Sequence, residues 1–280
     1  MRASLAMLSG LLAVLLAGAA LGGVWATQRV FDRDGFLSLA APLGSDAEFR
    51  AALASAVTEE VAGSADLPAG LQELVRPIVE RSAGTVTELE GFPEALNETL
   101  ANSHTLTFSG TSGSDAGITL DIAPIMGLAV TRVADALDTT LPVPDRVLVP
   151  LGSAKTAGVL TFWQDLAAQW WVAALAAAAA LVLMLLAARR STTALAWAGI
   201  GTATMGGILW LAAMQVPALG EGAAGSSELA ATFVGRLAGL AVADFRSWAA
   251  AFAGTGLVIA VAGFTLRALL GGDRGKKATG

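Results

Sequence analysis

From Trp170 to Ala188 the chain runs nineteen residues without a charged or polar side chain, and Arg189 and Arg190 close the run. At ~1.5 Å rise per residue, roughly 20 apolar residues cross a ~30 Å hydrocarbon layer, so this stretch predicts a membrane span. Trp170 and Trp171 stand at one end, where indole rings favour the headgroup level, and the two arginines stand at the other. Three more runs share this character. Residues 3–26 are uncharged behind Arg2. A cleaved signal peptide and a membrane anchor compete there; the length of the run and its terminal Trp25 favour the anchor, while the small residues Gly18 to Ala20 keep cleavage open. Leu195 to Met214 returns across the membrane after a tight turn at Arg189–Thr193, and Trp248 to Leu266 crosses last, ahead of Arg267.

Between the first two runs the pattern changes to amphipathic periods. Ser45 with Glu48 three residues later reads as a capping box for a helix over about 46–62, with Phe49, Leu53, Val57 and Val61 on one stripe. Pro68 opens a second helix that Pro77 interrupts. Gly91-Phe92-Pro93 starts another, with Leu96 and Leu100 on its inner face. Residues 110–117 (GTSGSDAG) form a loop by composition. Ile118 to Ile122 alternates apolar and polar and predicts a half-buried strand. Pro124 opens a helix to about Asp138, which Pro142 and Pro144 end, and Arg146 to Leu151 predicts a second strand. A strand–helix–strand order over 118–151 predicts a right-handed βαβ crossover, and Phe36 to Leu39 is a candidate third strand. Near the end, Ser226 to Phe245 reads as an amphipathic helix on the membrane surface, with Leu229, Phe233, Leu237 and Leu240 on one face.

These elements predict an α-helical membrane protein: four transmembrane helices plus a mostly helical α+β extracytoplasmic domain with a small sheet. The division is an anchor at 1–26, an extracytoplasmic domain at 27–165, a transmembrane hairpin at 166–213, an external loop with an amphipathic helix at 214–247, a span at 248–267 and a basic tail at 268–280.

Charge gives the orientation. Residues 27–165 hold 8 Lys/Arg against 19 Asp/Glu, a net of −11, while the predicted inner ends and tail hold 7 Lys/Arg against Asp273. Positive residues favour the cytoplasmic face, so both termini are expected in the cytoplasm and the acidic domain outside a bacterial plasma membrane. The absence of cysteine removes disulfides and thiolate metal sites.

Few residues suggest chemistry. The spans hold no ionisable side chain at their middles, which argues against a pump, a proton-coupled transporter or an intramembrane protease. Small residues gather instead: Gly199, Gly201, Gly206 and Gly207 in the third span, and Ala250, Gly254, Gly256, Ala260 and Gly263 in the fourth. They serve packing within the bundle or against another membrane subunit. His104 has no visible nucleophile partner and reads as structural. Asp32-Arg33-Asp34-Gly35 hints at a calcium loop, but Leu43 stands where a bidentate Glu belongs, so it reads as a turn. Ser153 and Lys155 form no specified pair, and residues 152–156 (GSAKT) lack the glycine spacing of a phosphate-binding loop. Glu94 and Glu98 read as a solvated face, and Asn97-Glu98-Thr99 as a chance match to a glycosylation triplet. No catalytic, cofactor-binding or metal residue is assigned, and no cofactor or nucleic-acid partner is expected.

His104, Gly110, Asp121 and Pro124, set around the stretch 118–137 (ITLDIAPIMGLAVTRVADAL), resemble the signature of a family of uncharacterised actinobacterial integral membrane proteins, with Ile122 in place of its leucine. The resemblance covers roughly residues 1–213. It implies the topology and fold above and no activity. The expected function is therefore a non-enzymatic cell-envelope membrane protein. Its external domain binds or senses a ligand or partner, and its spans serve as anchor and assembly surface. The partners are the lipid bilayer and either another membrane protein or a second copy. The alternatives are an oligomeric transporter or channel subunit, with Thr192, Thr193, Thr202, Thr204 and Gln215 along its path, and a membrane-tethered hydrolase.

Overall fold

The computed structural model describes residues 2–64, 87–108, 117–136, 138, 143, 145–188, 190–215 and 227–276. The predicted helix at Pro68, residues 110–116 of the predicted loop, Pro142 and Pro144 lie outside them. The chain divides into two compact units: Met1–Gln28, Trp163–Val216 and Val242–Gly280 form one, and Arg29–Phe162 with Pro217–Ala241 the other.

The first unit is apolar and helical. Four helices are long and apolar enough to cross a membrane, and they fall in the segments Arg2–Phe31, Trp170–Ala187, Ser191–Ala213 and Glu228–Leu269. They are built on α1 (Arg2–Ala26), α7 (Trp170–Ala187), α8 (Ser191–Ala213) and α9 (Glu228–Lys276). The close approaches set their directions. Gly10 of α1 faces Met184 of α7 and Gly23 faces Trp170, so these two helices run antiparallel. Gly18 faces Met205 and Leu209 of α8, and Val14 faces Gly201, so α1 and α8 run parallel. Gly199 and Gly206 of α8 meet Gly256, Ala260 and Ala253 of α9 in the reverse order. The spans therefore alternate, and the start of α1 and the end of α9 lie at the same end of this unit.

The α8–α9 seam depends on missing side chains. A methyl group built on Gly199 would stand 2.6 Å from the Gly256 carbonyl oxygen, and one on Gly206 would stand 2.8 Å from the Ala253 nitrogen. Such backbone-to-backbone approach gives the van der Waals contact that holds helices together in lipid, where no hydrophobic driving force separates helix from solvent. Packing within the bundle thus accounts for Gly199, Gly206, Gly256, Ala260 and Gly263. Gly207 and Gly254 face open space.

The second unit is mixed. Its elements are a π-helical turn at Thr27–Phe31, α2 (Arg33–Ala40), a 3-10 turn at Ala41–Ser45, α3 (Ala47–Ser64), α4 (Phe92–Phe108), β1 (Ile118–Asp121), α5 (Ala123–Ala136), β2 (Leu148–Gly152) and α6 (Ala154–Ala168). The turn and α6 each carry a few residues into the first unit. The core gathers Leu43, Phe49, Leu53, Phe92, Leu96, Leu100, Leu120, Ile122 and Ile125, and the start of α9 adds Leu229, Ala230 and Phe233. Phe49 and Phe233 lie with ring centroids 6.0 Å apart. Full burial of such side chains is worth about 1.5–3 kcal/mol each.

Several expectations change. The Ser226–Phe245 segment does not form a separate surface helix. Glu228–Lys276 is one uninterrupted helix, and the apolar stripe of its first turns is buried in a protein core. The sequence there holds no proline and offers no reason to stop. Phe36–Leu39 is helical, because Asp32 caps α2 by accepting from Gly35 N at 2.9 Å and Leu39 and Ala40 turn inward at helical spacing from Phe36. The cap of α3 is Asp46, which accepts from Phe49 N at 2.8 Å. Ser45 instead closes the 3-10 turn onto Pro42 O, and that turn moves the helix start by one residue.

The two strands pair antiparallel, so the βαβ crossover is absent. Asp121, the last residue of β1, stands opposite Leu148, the first of β2, and Ile118 stands opposite Gly152. The chain leaves and re-enters the sheet at one end. β1 is also more buried than its alternation suggests, with Thr119, Leu120 and Asp121 all inside. Finally, residues 153–165, for which the pattern above predicts no element, lie mostly in α6.

Candidate functional site

The polar groups that the second unit buries gather along α4 and β1. Gly91, with φ of +95°, turns the chain into α4, a conformation that a side chain would disfavour. The inner face of α4 then carries Thr99, Ser103 and His104 among its leucines. The Ser103 hydroxyl donates to Thr99 O at 2.6 Å and accepts from Asp121 N at 2.8 Å, tying α4 to β1. The Asp121 carboxylate is 4% exposed. Its Oδ1 accepts from Ala123 N at 3.1 Å and Val147 N at 3.2 Å. It thus caps α5 and holds the entry to β2, at the point where the strand pair must close. A buried carboxylate with two backbone donors is satisfied as structure and is not aimed at a ligand.

His104 is likewise occupied. Its Nε2 stands 3.1 Å from Val30 O, and since a carbonyl only accepts, Nε2 carries the proton. The ring lies 5.0 Å from Phe36 and 4.7 Å from Phe108. Burial pulls the imidazole below its usual value. The Val30 bond and the Asp32 charge push it back only in part, and Arg33 adds to the lowering. The residue that resembled a family signature therefore joins α4 to the π-helical turn that follows the first span. Of the other signature positions, Pro124 sits in the first turn of α5 and Gly110 lies outside the described residues.

The other candidates are placed as follows. Asp32 is the cap of α2. Ser153 lies 3.0 Å from the Thr156 hydroxyl and accepts from Thr156 N at 3.3 Å, so it caps α6. Thr99 of the glycosylation triplet is wholly buried. Glu94 and Glu98 are exposed. Thr202 donates to Ala198 O of its own helix. Among the described residues no group of three or more His, Asp or Glu is placed to hold a metal.

One concavity stands out in this unit. Between α2, the 3-10 turn and α4 lies a groove of about 700 Å³. Leu37, Leu96 and Leu100 contribute its apolar lining, and Ser38, Asn97, Asp34 and Glu94 its polar lining. Its charged members are both carboxylates. The sequence marked the two leucines of α4 as core and Glu94 as surface. What brings them beside Asp34 is the helical form of Arg33–Ala40, where the sequence pattern predicts a turn at 32–35 and a strand at Phe36–Leu39.

The first unit has its own polar arrangement. Trp25 Nε1 donates to Asp244 Oδ2 at 2.8 Å, and its ring meets Phe245 edge-on at 5.0 Å. Arg246 stacks over Trp210 at 3.9 Å. With Gly23 against Trp170, these contacts bring Trp25, Trp170, Trp171 and Trp210 to one level, with Trp248 two residues beyond Arg246. Five of the seven tryptophans thus gather toward one end of the apolar helices, and indole rings favour the headgroup level of a bilayer. The pairing of Asp244 and Arg246 with indoles from other helices was not legible in sequence, because the partners are up to 219 positions away.

Comparison with protein-family models, with curated proteins and with solved structures finds no match. The chain is a multi-pass, mostly helical membrane protein.

Proposed function

We propose that this is a non-enzymatic membrane protein of the bacterial cell envelope, whose polar unit lies outside the cytoplasm and binds a ligand or partner while the apolar helices anchor it. The observation that carries the reading is α9. Its first turns give Leu229, Ala230 and Phe233 to the core of the polar unit, and the same uninterrupted helix continues through an apolar length fit to cross a membrane. The groove between α2 and α4 is the seat for the ligand. Its apolar lining with Asp34 and Glu94 suits an amphipathic molecule or segment bearing positive charge. His104 and Asp121 support a binding role over a hydrolytic one, because both are held in structural hydrogen bonds. The charge asymmetry of −11 for residues 27–165 against the basic ends of the spans supports cytoplasmic termini. His104, Asp121 and Pro124 support a place beside the actinobacterial proteins they resemble.

The test is a mild-detergent capture of the tagged full chain from its native membrane, with mass spectrometry of what accompanies it. It is run beside Ser38→Trp and Asn97→Trp, which fill the groove from exposed positions. The wild type should carry a specific companion that both variants lose while keeping the wild-type elution volume. Identical recovery from all three proteins would remove the groove from consideration.

A further inference from the structure

We propose that Arg2, Arg190 and Arg267, which three helices bring to one end of the apolar unit, form a seat for the headgroup of an anionic phospholipid. Their common level follows from the helix contacts. Gly10 of α1 faces Met184 of α7, and Val14 of α1 faces Gly201 of α8. Arg2, about two turns before Gly10, is therefore level with the link from α7 to α8. Arg190 is the last residue of that link, immediately before Ser191. Gly263 of α9 meets Ala196 of α8. Arg267 lies one turn further along the same side of α9, and in an antiparallel pair that sets it beside the first turn of α8. Arg190 thus stands between the other two, each on a helix that packs against α8.

All three arginines are exposed. The chain around them holds no Asp or Glu over 1–31, 166–220 or 245–272, and among the described residues none of the three enters an ion pair. Three uncompensated guanidinium groups favour an anion, and the surroundings supply one. Leu5, Leu186 and Leu266, each within about one turn of an arginine, are exposed apolar residues of membrane-length helices. Lipid covers them, so the arginines stand at its phosphate layer. A guanidinium takes a phosphate through two parallel N–H bonds. The start of α8 adds donors. It has no side-chain cap, and the first amide bonded within the helix is Ala194 N, on Arg190 O at 3.1 Å. A zwitterionic headgroup would bring its own cation to three positive charges, so a headgroup of net negative charge fits the cluster better.

The test reconstitutes the full chain in phosphatidylcholine vesicles with a trace of spin-labelled lipid, either phosphatidylglycerol or phosphatidylcholine. The fraction of label immobilised by the protein gives the relative association of the two lipids. A basic residue at a membrane surface raises affinity for negative charge about fivefold before salt screens it, so the wild type should favour phosphatidylglycerol at least about threefold. The pair Arg190→Gln with Arg267→Gln should lower that ratio to about half or less, and Arg2→Gln alone should lower it in part. Arg132→Gln, at an exposed position of the polar unit, should leave it unchanged. Unchanged elution volume shows that each variant is folded, and Arg190→Gln and Arg267→Gln taken singly carry the comparison if the pair fails that check. An equal ratio in wild type and arginine variants would overturn the proposal. Loss of the wild-type preference on adding inorganic phosphate at constant ionic strength would assign the arginines to a soluble anion and overturn it as well.

Discussion

Asp121→Ala removes one carboxylate and leaves two backbone donors, Ala123 N and Val147 N, buried without an acceptor. Each orphaned donor costs about 1–3 kcal/mol. The bonds of 3.1 and 3.2 Å are long for a charged acceptor, which favours the lower half of that range and a sum of about 2–4 kcal/mol. At about 4 °C per kcal/mol for a domain of this size, the midpoint of thermal unfolding should fall by about 8–16 °C. Asp121→Asn keeps an oxygen in the same place and should cost about 1 kcal/mol. The assay is thermal loss of the monodisperse peak of the full chain in detergent, with hydrogen exchange at 123 and 147 as the local readout. Both amides should exchange faster in the alanine variant and keep most of their protection in the asparagine variant. The reasoning fails if alanine costs under about 1 kcal/mol, or if asparagine is as harmful as alanine, since acceptance by Oδ1 would then not be what the site contributes.

Three further outcomes are expected. Burial holds His104 below its ordinary imidazole value, so the unfolded chain takes up its proton first on acidification. Stability from this residue is present above about pH 6.5 and is lost as pH falls from there through the folded value; His104→Gln should flatten that fall in a pH series of melting points. Gly256→Leu would press a side chain into Gly199 O at 2.7 Å and part α8 from α9, with a loss of at least about 1–3 kcal/mol, whereas Gly254→Leu meets open space and should leave elution and melting unchanged. Arg236 pairs with Asp46 at 3.5 Å and with Glu48, but its side chain is 43% exposed, so Arg236→Ala should cost under about 1 kcal/mol, and less in high salt.

The spans, their number and the alternation of tryptophan and arginine ends were legible from the chain alone. Hydrocarbon thickness sets a length that only long uncharged runs can meet, and four runs meet it. Local rules also sufficed where one element decides for itself: Gly91 and Pro93 start α4, and Phe49 with Leu53 marks the inner side of α3. Pairing was decided elsewhere. Nothing in residues 118–152 states that the sheet is antiparallel; that follows from Asp121 holding Ala123 and Val147 at one end of it. The stripe of Leu229 and Phe233 fits a lipid surface and a protein core equally well by period, and only the presence of Phe49 and its neighbours selects the core. Periodicity tells which side of a helix is apolar, while the medium that side meets depends on residues far away in the chain.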